Sequence, residues 1–303
     1  MGVALVAVTA AGALALYWLT HELLGKRLGL AAFLLLLGIA FATRTRGVAV
    51  SYLFDFILQP STLGSLFLLL ALPPFVAGRY LLSGVFLGLS GLFHANYLIL
   101  GIGTFGLAHL ALGVRDIKEL ALRLARQLGP AFVAFLLLSP LIFASIGSKD
   151  GARAQEILFS IRAPHHYAPR NWKGAFFPMA AWQMVGLGAG AWLLRGMSGR
   201  GRRLGALILA LAVVLWAGTA LTTWKWYPRV AQLFVWRFAP LQDLLMQLLV
   251  CAASVRIAAR PALLRRIGPA GLALLAGGVA SIALQDKEGP APGPLAGVGN
   301  GVS

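Results

Sequence analysis

Acidic residues are scarce in this sequence: nine Asp and Glu stand against 26 Lys and Arg. Charge of either sign is sparse, at 12% of residues, about half the share of a soluble globular domain, which argues against a water-soluble body. Cysteine is nearly absent. Cys251 stands alone inside an apolar stretch, which excludes an intrachain disulfide and the CxxC pairs of metal and redox sites. The alternating segments of about ten residues that mark a membrane β-barrel are missing. The net charge of +17 raises nucleic acid as a partner, but no binding motif accompanies it, so no nucleic acid is expected.

What the sequence has in quantity is apolar length. Hydrophobic residues make up 59%, the mean hydropathy is +0.82, and runs of roughly 18 to 20 apolar residues recur, each long enough for a hydrocarbon core of about 30 Å. The expected fold class is all-α: a polytopic transmembrane helix bundle of about ten spans. These fall near 3–20, 28–42, 61–77, 80–93, 96–113, 128–147, 175–194, 204–222, 238–255 and 267–284. The transmembrane domain then covers 1–284, and the Gly- and Pro-rich residues 285–303 read as a disordered tail.

Basic residues orient the spans. The alternate short loops 21–27, 78–79, 114–127, 195–203 and 256–266 hold 15 of the 26 Lys and Arg. Cytoplasmic loops are the ones enriched in Lys and Arg, so this set is expected in the cytoplasm. Loops 43–60, 94–95, 148–174 and 223–237 are then extracytoplasmic. With that alternation Met1 lies outside and the first span runs outside to inside. No basic n-region of a signal peptide follows Met1. We expect an upstream extension carrying one more span and its outer loop.

The unusual chemistry gathers on the outer side. In SIRAPHHYAPRNWK (160–173), Pro164 and Pro169 stop helix formation, after a short interfacial helix expected at 148–162. His165 and His166 point apart in an extended segment. The pair suits phosphate hydrogen bonding, acid–base work or a divalent metal. The metal reading is the weakest, since no three-histidine or carboxylate-rich cluster accompanies it. Arg162, Arg170 and Lys173 supply cations and Trp172 an aromatic face; the bland alternative is an interfacial loop anchored by Tyr167 and Trp172. The loop TWKWYPRVAQLFVWR (223–237) adds Arg229 and Arg237 among aromatic residues, a pattern that suits phosphate and sugar rings or a plain aromatic belt. Asp243, with Gln242 and Gln247, lies deeper in the ninth span, where a carboxylate is costly unless partnered; an interhelical hydrogen bond is the structural alternative. His94 and Asn96 occupy a polar hairpin tip and either meet substrate or cap helix ends. Asp55 is the one acid of its loop, a candidate general base or metal ligand. His21 and His109 read as ordinary interfacial or interhelical histidines.

The run FILQPSTLGSLFLLLALPPFVAGRYLLSGVFLGLSGLFHANYLILGI resembles the order found in GT-C-type membrane glycosyltransferases: polar loop and proline, long span, short basic turn, Gly-rich span, polar tip, span. RAPHHYAP and WRFAPLQDLLMQLLV also look like segments of bacterial membrane proteins of this architecture. The resemblance covers about residues 45–255. It implies an enzyme that takes a sugar from a polyprenyl-phosphate carrier on the extracytoplasmic face. Membrane lipids and that donor are then the partners, and no tightly bound cofactor is implied. Asp55, His165 and His166 become the catalytic candidates; His94, Asn96, Arg162, Arg170, Trp172, Lys173, Arg229, Arg237 and Asp243 become the substrate-binding ones. Two departures stand out. The family's tip often carries Lys or His-Pro, here His94-Ala95, and its catalytic acid lies in a large first outer loop that this sequence does not contain. The chain is then either a transferase using Asp55 or an inactive fragment. A transporter or flippase for a lipid-linked or anionic solute is the rival reading, with Asp243 on its pathway.

Overall fold

A computed structural model describes residues 2–43, 58–147, 157, 176–196, 199–224 and 234–259. Among the described residues the regular structure is helical, with no strand. In chain order the helices are α1 (Gly2–Leu24), α2 (Lys26–Thr43), α3 (Pro60–Ala77), α4 (Tyr80–Phe93), α5 (Ala95–Ala111), α6 (Ile117–Gly147), α7 (Phe176–Gly196), α8 (Gly199–Trp224) and α9 (Ala239–Ala259), with a 3-10 turn at Val235–Phe238 before α9. Among the described residues five helices are long and apolar enough to cross a membrane: Val3–Leu24, Pro60–Ala77, Ile117–Ala144, Gly199–Thr222 and Val235–Ala259. The expected span at 267–284, the tail and the interfacial helix at 148–162 lie outside the described residues, except that Ile157 is exposed.

The helices differ from the apolar runs mostly at their charged ends. Residues 114–127 do not form a loop: α6 begins at Ile117. Asp116 accepts from the Lys118 amide through its carboxylate (2.9 Å) and from the Leu120 amide through its carbonyl (2.9 Å). An acidic side chain in this position satisfies an otherwise orphaned N–H. Glu119 and Arg123 add an ion pair one turn on. Likewise 21–27 is a hinge at Gly25, whose φ of +79° suits only a residue without a side chain, between two helices. Gly78 ends α3 in the same left-handed region, φ +84°, and there the Arg79 amide bonds back to the Pro74 carbonyl (2.7 Å).

Helix pairs approach closely where side chains are small, as expected where no hydrophobic drive separates protein from lipid. A Cβ on Gly190 of α7 would sit 2.7 Å from the Leu209 backbone nitrogen of α8, and one on Gly205 would sit 3.0 Å from the Gly190 carbonyl. The core runs along α3 and the 3-10 turn leading into α9, with Leu69, Leu72, Phe75, Trp236 and Phe238 buried.

One end of the bundle is fastened by arginines from the GRGRR opening of α8. Arg200 donates to the Glu22 carbonyl (2.9 Å), Arg202 to the Leu112 carbonyl (2.9 Å) and Arg203 to the Val76 carbonyl (2.6 Å). Arg256 of α9 reaches the Leu23 carbonyl at 3.4 Å. These acceptors belong to the C-terminal ends of α1, α3 and α5, where carbonyls lack an intrahelical partner and cations are favoured. The buried Glu22 carboxylate holds Arg79 and Arg200 and accepts from the Trp18 indole. Basic segments far apart in sequence thus meet at one end, and the α4–α5 turn with the start of α9 lies at the other.

Candidate functional site: the His94–Arg237 end

His94 is the single residue between α4 and α5, with extended backbone (φ −153°, ψ 103°). Its amide donates to the Ser90 and Gly91 carbonyls (3.0 and 3.1 Å) and its carbonyl accepts from the Tyr97 amide (2.9 Å). The backbone therefore does the capping that the sequence left open, and the side chain makes no cap hydrogen bond. The imidazole lies against the Tyr97 ring, centroids 4.7 Å apart, and Tyr97 meets Phe238 at 5.9 Å. Tyr97 is anchored on α3 by the Oη–Ser65 Oγ hydrogen bond of 2.9 Å. Ser90 donates to the Gly64 carbonyl (2.7 Å), and Gly64 leaves room for the ring, since a Cβ there would sit 2.7 Å from Tyr97 Cδ2.

Arg237 enters from the 3-10 turn. Phe234, just before it, has φ 43° and ψ 59°, a left-handed conformation costly for an aromatic residue and one that clusters at functional sites. The Arg237 guanidinium stands 5.1 Å from the Phe234 ring centroid, a cation–π arrangement. The turn is pinned by Trp236, fully buried, whose indole donates to Thr219 of α8 (3.2 Å).

The pair is electrostatically coupled. Burial, and secondly the Arg237 charge, push the His94 imidazole down to about 4. At neutral pH His94 is an uncharged ring beside a fixed cation. Buried His94 Nδ1 and Arg237 Nε have no hydrogen-bond partner among the described residues. An unmet buried polar atom is costly unless something satisfies it. An uncharged imidazole and an N–H of a cation together suit an anionic oxygen with a neighbouring hydroxyl.

The structure brings His94 and Arg237, singled out separately in the sequence, to one place. Asn96 is half-buried in the first turn of α5. Asp243 is buried at 5% exposure on α9, flanked by buried Gln242 and with buried Gln247 one turn on; Gln242 Nε2 has no hydrogen-bond partner among the described residues. Asp55, Arg162, His165, His166, Arg170, Trp172, Lys173 and Arg229 lie outside the described residues. Among the described residues no group of three or more His, Cys, Asp or Glu is placed to hold a metal ion. His109 is interhelical, edge-on to Phe75 and Tyr80 at 5.4 and 4.7 Å. Sequence reasoning missed Tyr97, Ser65, Ser90 and Phe234. Hydroxyl groups recurring in otherwise apolar helices were the signal available for the first three.

No family model matches the chain, and no curated protein or solved structure shows significant similarity to it. The His94–Arg237 geometry therefore carries the functional argument.

Proposed function

We propose that the chain is a polytopic membrane glycosyltransferase of GT-C-like architecture, with about ten spans, that uses a polyprenyl-phosphate-linked sugar. The observation that carries this reading is the meeting of His94 and Arg237 at the end of the bundle opposite the arginine-fastened one. If the arginine-rich end is cytoplasmic, the pair faces the extracytoplasmic side, where a lipid-linked sugar would present its phosphate at membrane depth.

In this reading Arg237 binds the phosphate and stabilises the charge that develops as the sugar–phosphate bond breaks. Neutral His94 hydrogen-bonds the donor and orients it. The acceptor hydroxyl attacks the anomeric carbon, its proton passes to a general base, and polyprenyl phosphate leaves with the bonding electrons. Asp55 takes the base role, with His165 and His166 as the other candidates. Arg162, Arg170, Lys173 and Arg229 add cations around the headgroup, and Trp172 offers a face to the sugar.

Purified protein in lipid nanodiscs, supplied with radiolabelled polyprenyl-phosphate sugars and membrane acceptors, tests this. Label should pass to acceptor, with kcat/KM lowered roughly 100-fold or more by Arg237→Gln, as when one charge-stabilising group is lost. Undiminished transfer by Arg237→Gln, or lipid-phosphate binding the same in both proteins with no transfer by either, overturns the reading.

The buried Gln242, Asp243 and Gln247 of α9 favour a second reading, a transporter or flippase with a polar path into the membrane. Solute flux in proteoliposomes that is abolished by Asp243→Asn, in the absence of any transferase activity, would select it.

A further inference from the structure

The arginine-fastened end carries charge that the fold's own contacts leave in place. Arg200, Arg203 and Arg256 bond to carbonyls, which meets their geometry without removing formal charge. Among the described residues Glu22 is the one carboxylate of the α1–α2 corner; Arg79 and Arg200 pair with it, Arg256 bonds to the adjoining Leu23 carbonyl, Arg203 to the Val76 carbonyl at the end of α3, and Lys26 and Arg27 follow it at the start of α2. The other described acids of this end are engaged on α6, Asp116 as its cap and Glu119 with Arg123. Even while bound to Glu22, the Arg79 and Arg200 side chains are 54% and 52% exposed. Lys26 and Arg27 are exposed and make no hydrogen bond or ion pair among the described residues.

A second feature adjoins this corner. Between α1 and α2 runs a groove of about 430 Å³ lined by Ala10, Ala13, Leu14, Tyr17, Leu30 and Phe33. Leu30 follows Arg27 by three residues and Tyr17 precedes Glu22 by five, so the groove opens within about one to two helical turns, at 1.5 Å per residue, of the cations. A phosphate alone has no use for an apolar groove, and an apolar chain alone has no use for the cations. One molecule with both parts fits the whole.

We propose that the α1–α2 corner binds an anionic phospholipid, with its phosphate held by Lys26, Arg27 and the exposed faces of Arg79 and Arg200, and an acyl chain in the groove. Juxtamembrane basic clusters draw anionic headgroups in this way. The site is on the opposite end from His94 and does not depend on the transferase reading.

The test is lipid retention by native mass spectrometry of the full chain in detergent, at about 0.15 M salt. The additions are phosphatidylglycerol, phosphatidylcholine with the same chains, or inorganic phosphate. Phosphatidylglycerol should bind, phosphatidylcholine should bind at least about fivefold more weakly, and millimolar phosphate should not compete. The Lys26→Gln/Arg27→Gln double variant should lose about fivefold or more in affinity, while the charge-conserving Lys26→Arg/Arg27→Lys exchange keeps it. Ala13→Phe, which fills the groove, should weaken binding with every cation present. Equal binding of both lipids, competition by free phosphate, or wild-type affinity in the double variant or in Ala13→Phe overturns the proposal. Among the described residues Lys26 and Arg27 hold no other part of the fold, so lipid-free melting of the double variant should equal wild type and keep folding apart from binding.

Discussion

Arg200 grips both ends of Glu22, donating to its carbonyl at 2.9 Å and pairing with its carboxylate at 3.1 Å. The residues are 178 positions apart in sequence, so this one side chain ties α1 to α8. The Arg79 guanidinium shares the same carboxylate and lies 5.7 Å from the Trp18 ring, bringing in the α3–α4 turn.

Glu22→Gln should therefore destabilise the bundle. The carboxylate is 7% exposed, and its loss leaves two guanidinium groups without an anion. Breaking a buried pair costs about 3–5 kcal/mol, and because both arginines are half-exposed the expected loss is nearer about 2 kcal/mol. Denaturant unfolding in detergent micelles checks it; an unchanged midpoint would show that Glu22 does not tie the helices together.

His94 gives a pH signature. Its folded-state value, about 4, lies below the ordinary 6.5. The unfolded chain takes up the proton first, so the contribution of neutral His94 is fully present above about pH 6.5 and is lost as pH falls toward 4. His94→Gln should flatten that part of the stability profile. Arg237→Gln should raise the His94 value, because it removes one of the two causes, without restoring it fully while burial remains. Histidine-selective NMR titration reads both effects.

Close helix approach gives a paired prediction. Gly190→Ala puts a methyl 2.7 Å from the Leu209 backbone nitrogen, whereas a Cβ on Gly103 meets nothing within 4 Å. Overpacking against backbone costs about 1–3 kcal/mol, so Gly190→Ala should lower stability by that amount. Gly103→Ala should be neutral or slightly stabilising, by up to about 1 kcal/mol from helix propensity. Similar melting curves for the two variants would contradict the α7–α8 packing.

Helix positions were legible because apolar run length is a local property. The starts of α6 and α8 were not, since Asp116 capping and the GRGRR turn extend helices into charged sequence that hydropathy discards. His94 and Arg237 stood out as polar residues bordering apolar spans. Tyr97 and Ser65 did not, because a hydroxyl in an apolar helix looks unremarkable until its partner 32 residues away is placed at 2.9 Å. Glu22 escaped notice for the same reason.

Apolar run length and charge placement are local properties, and they alone make this a helical protein of apolar segments with basic residues concentrated in alternate connections. Which carbonyls the arginines meet, the burial that keeps His94 uncharged beside Arg237, and the groove next to the basic corner arise only when the helices pack. Those are properties of distances between helices, fixed by small residues and buried polar bonds whose partners lie far along the chain.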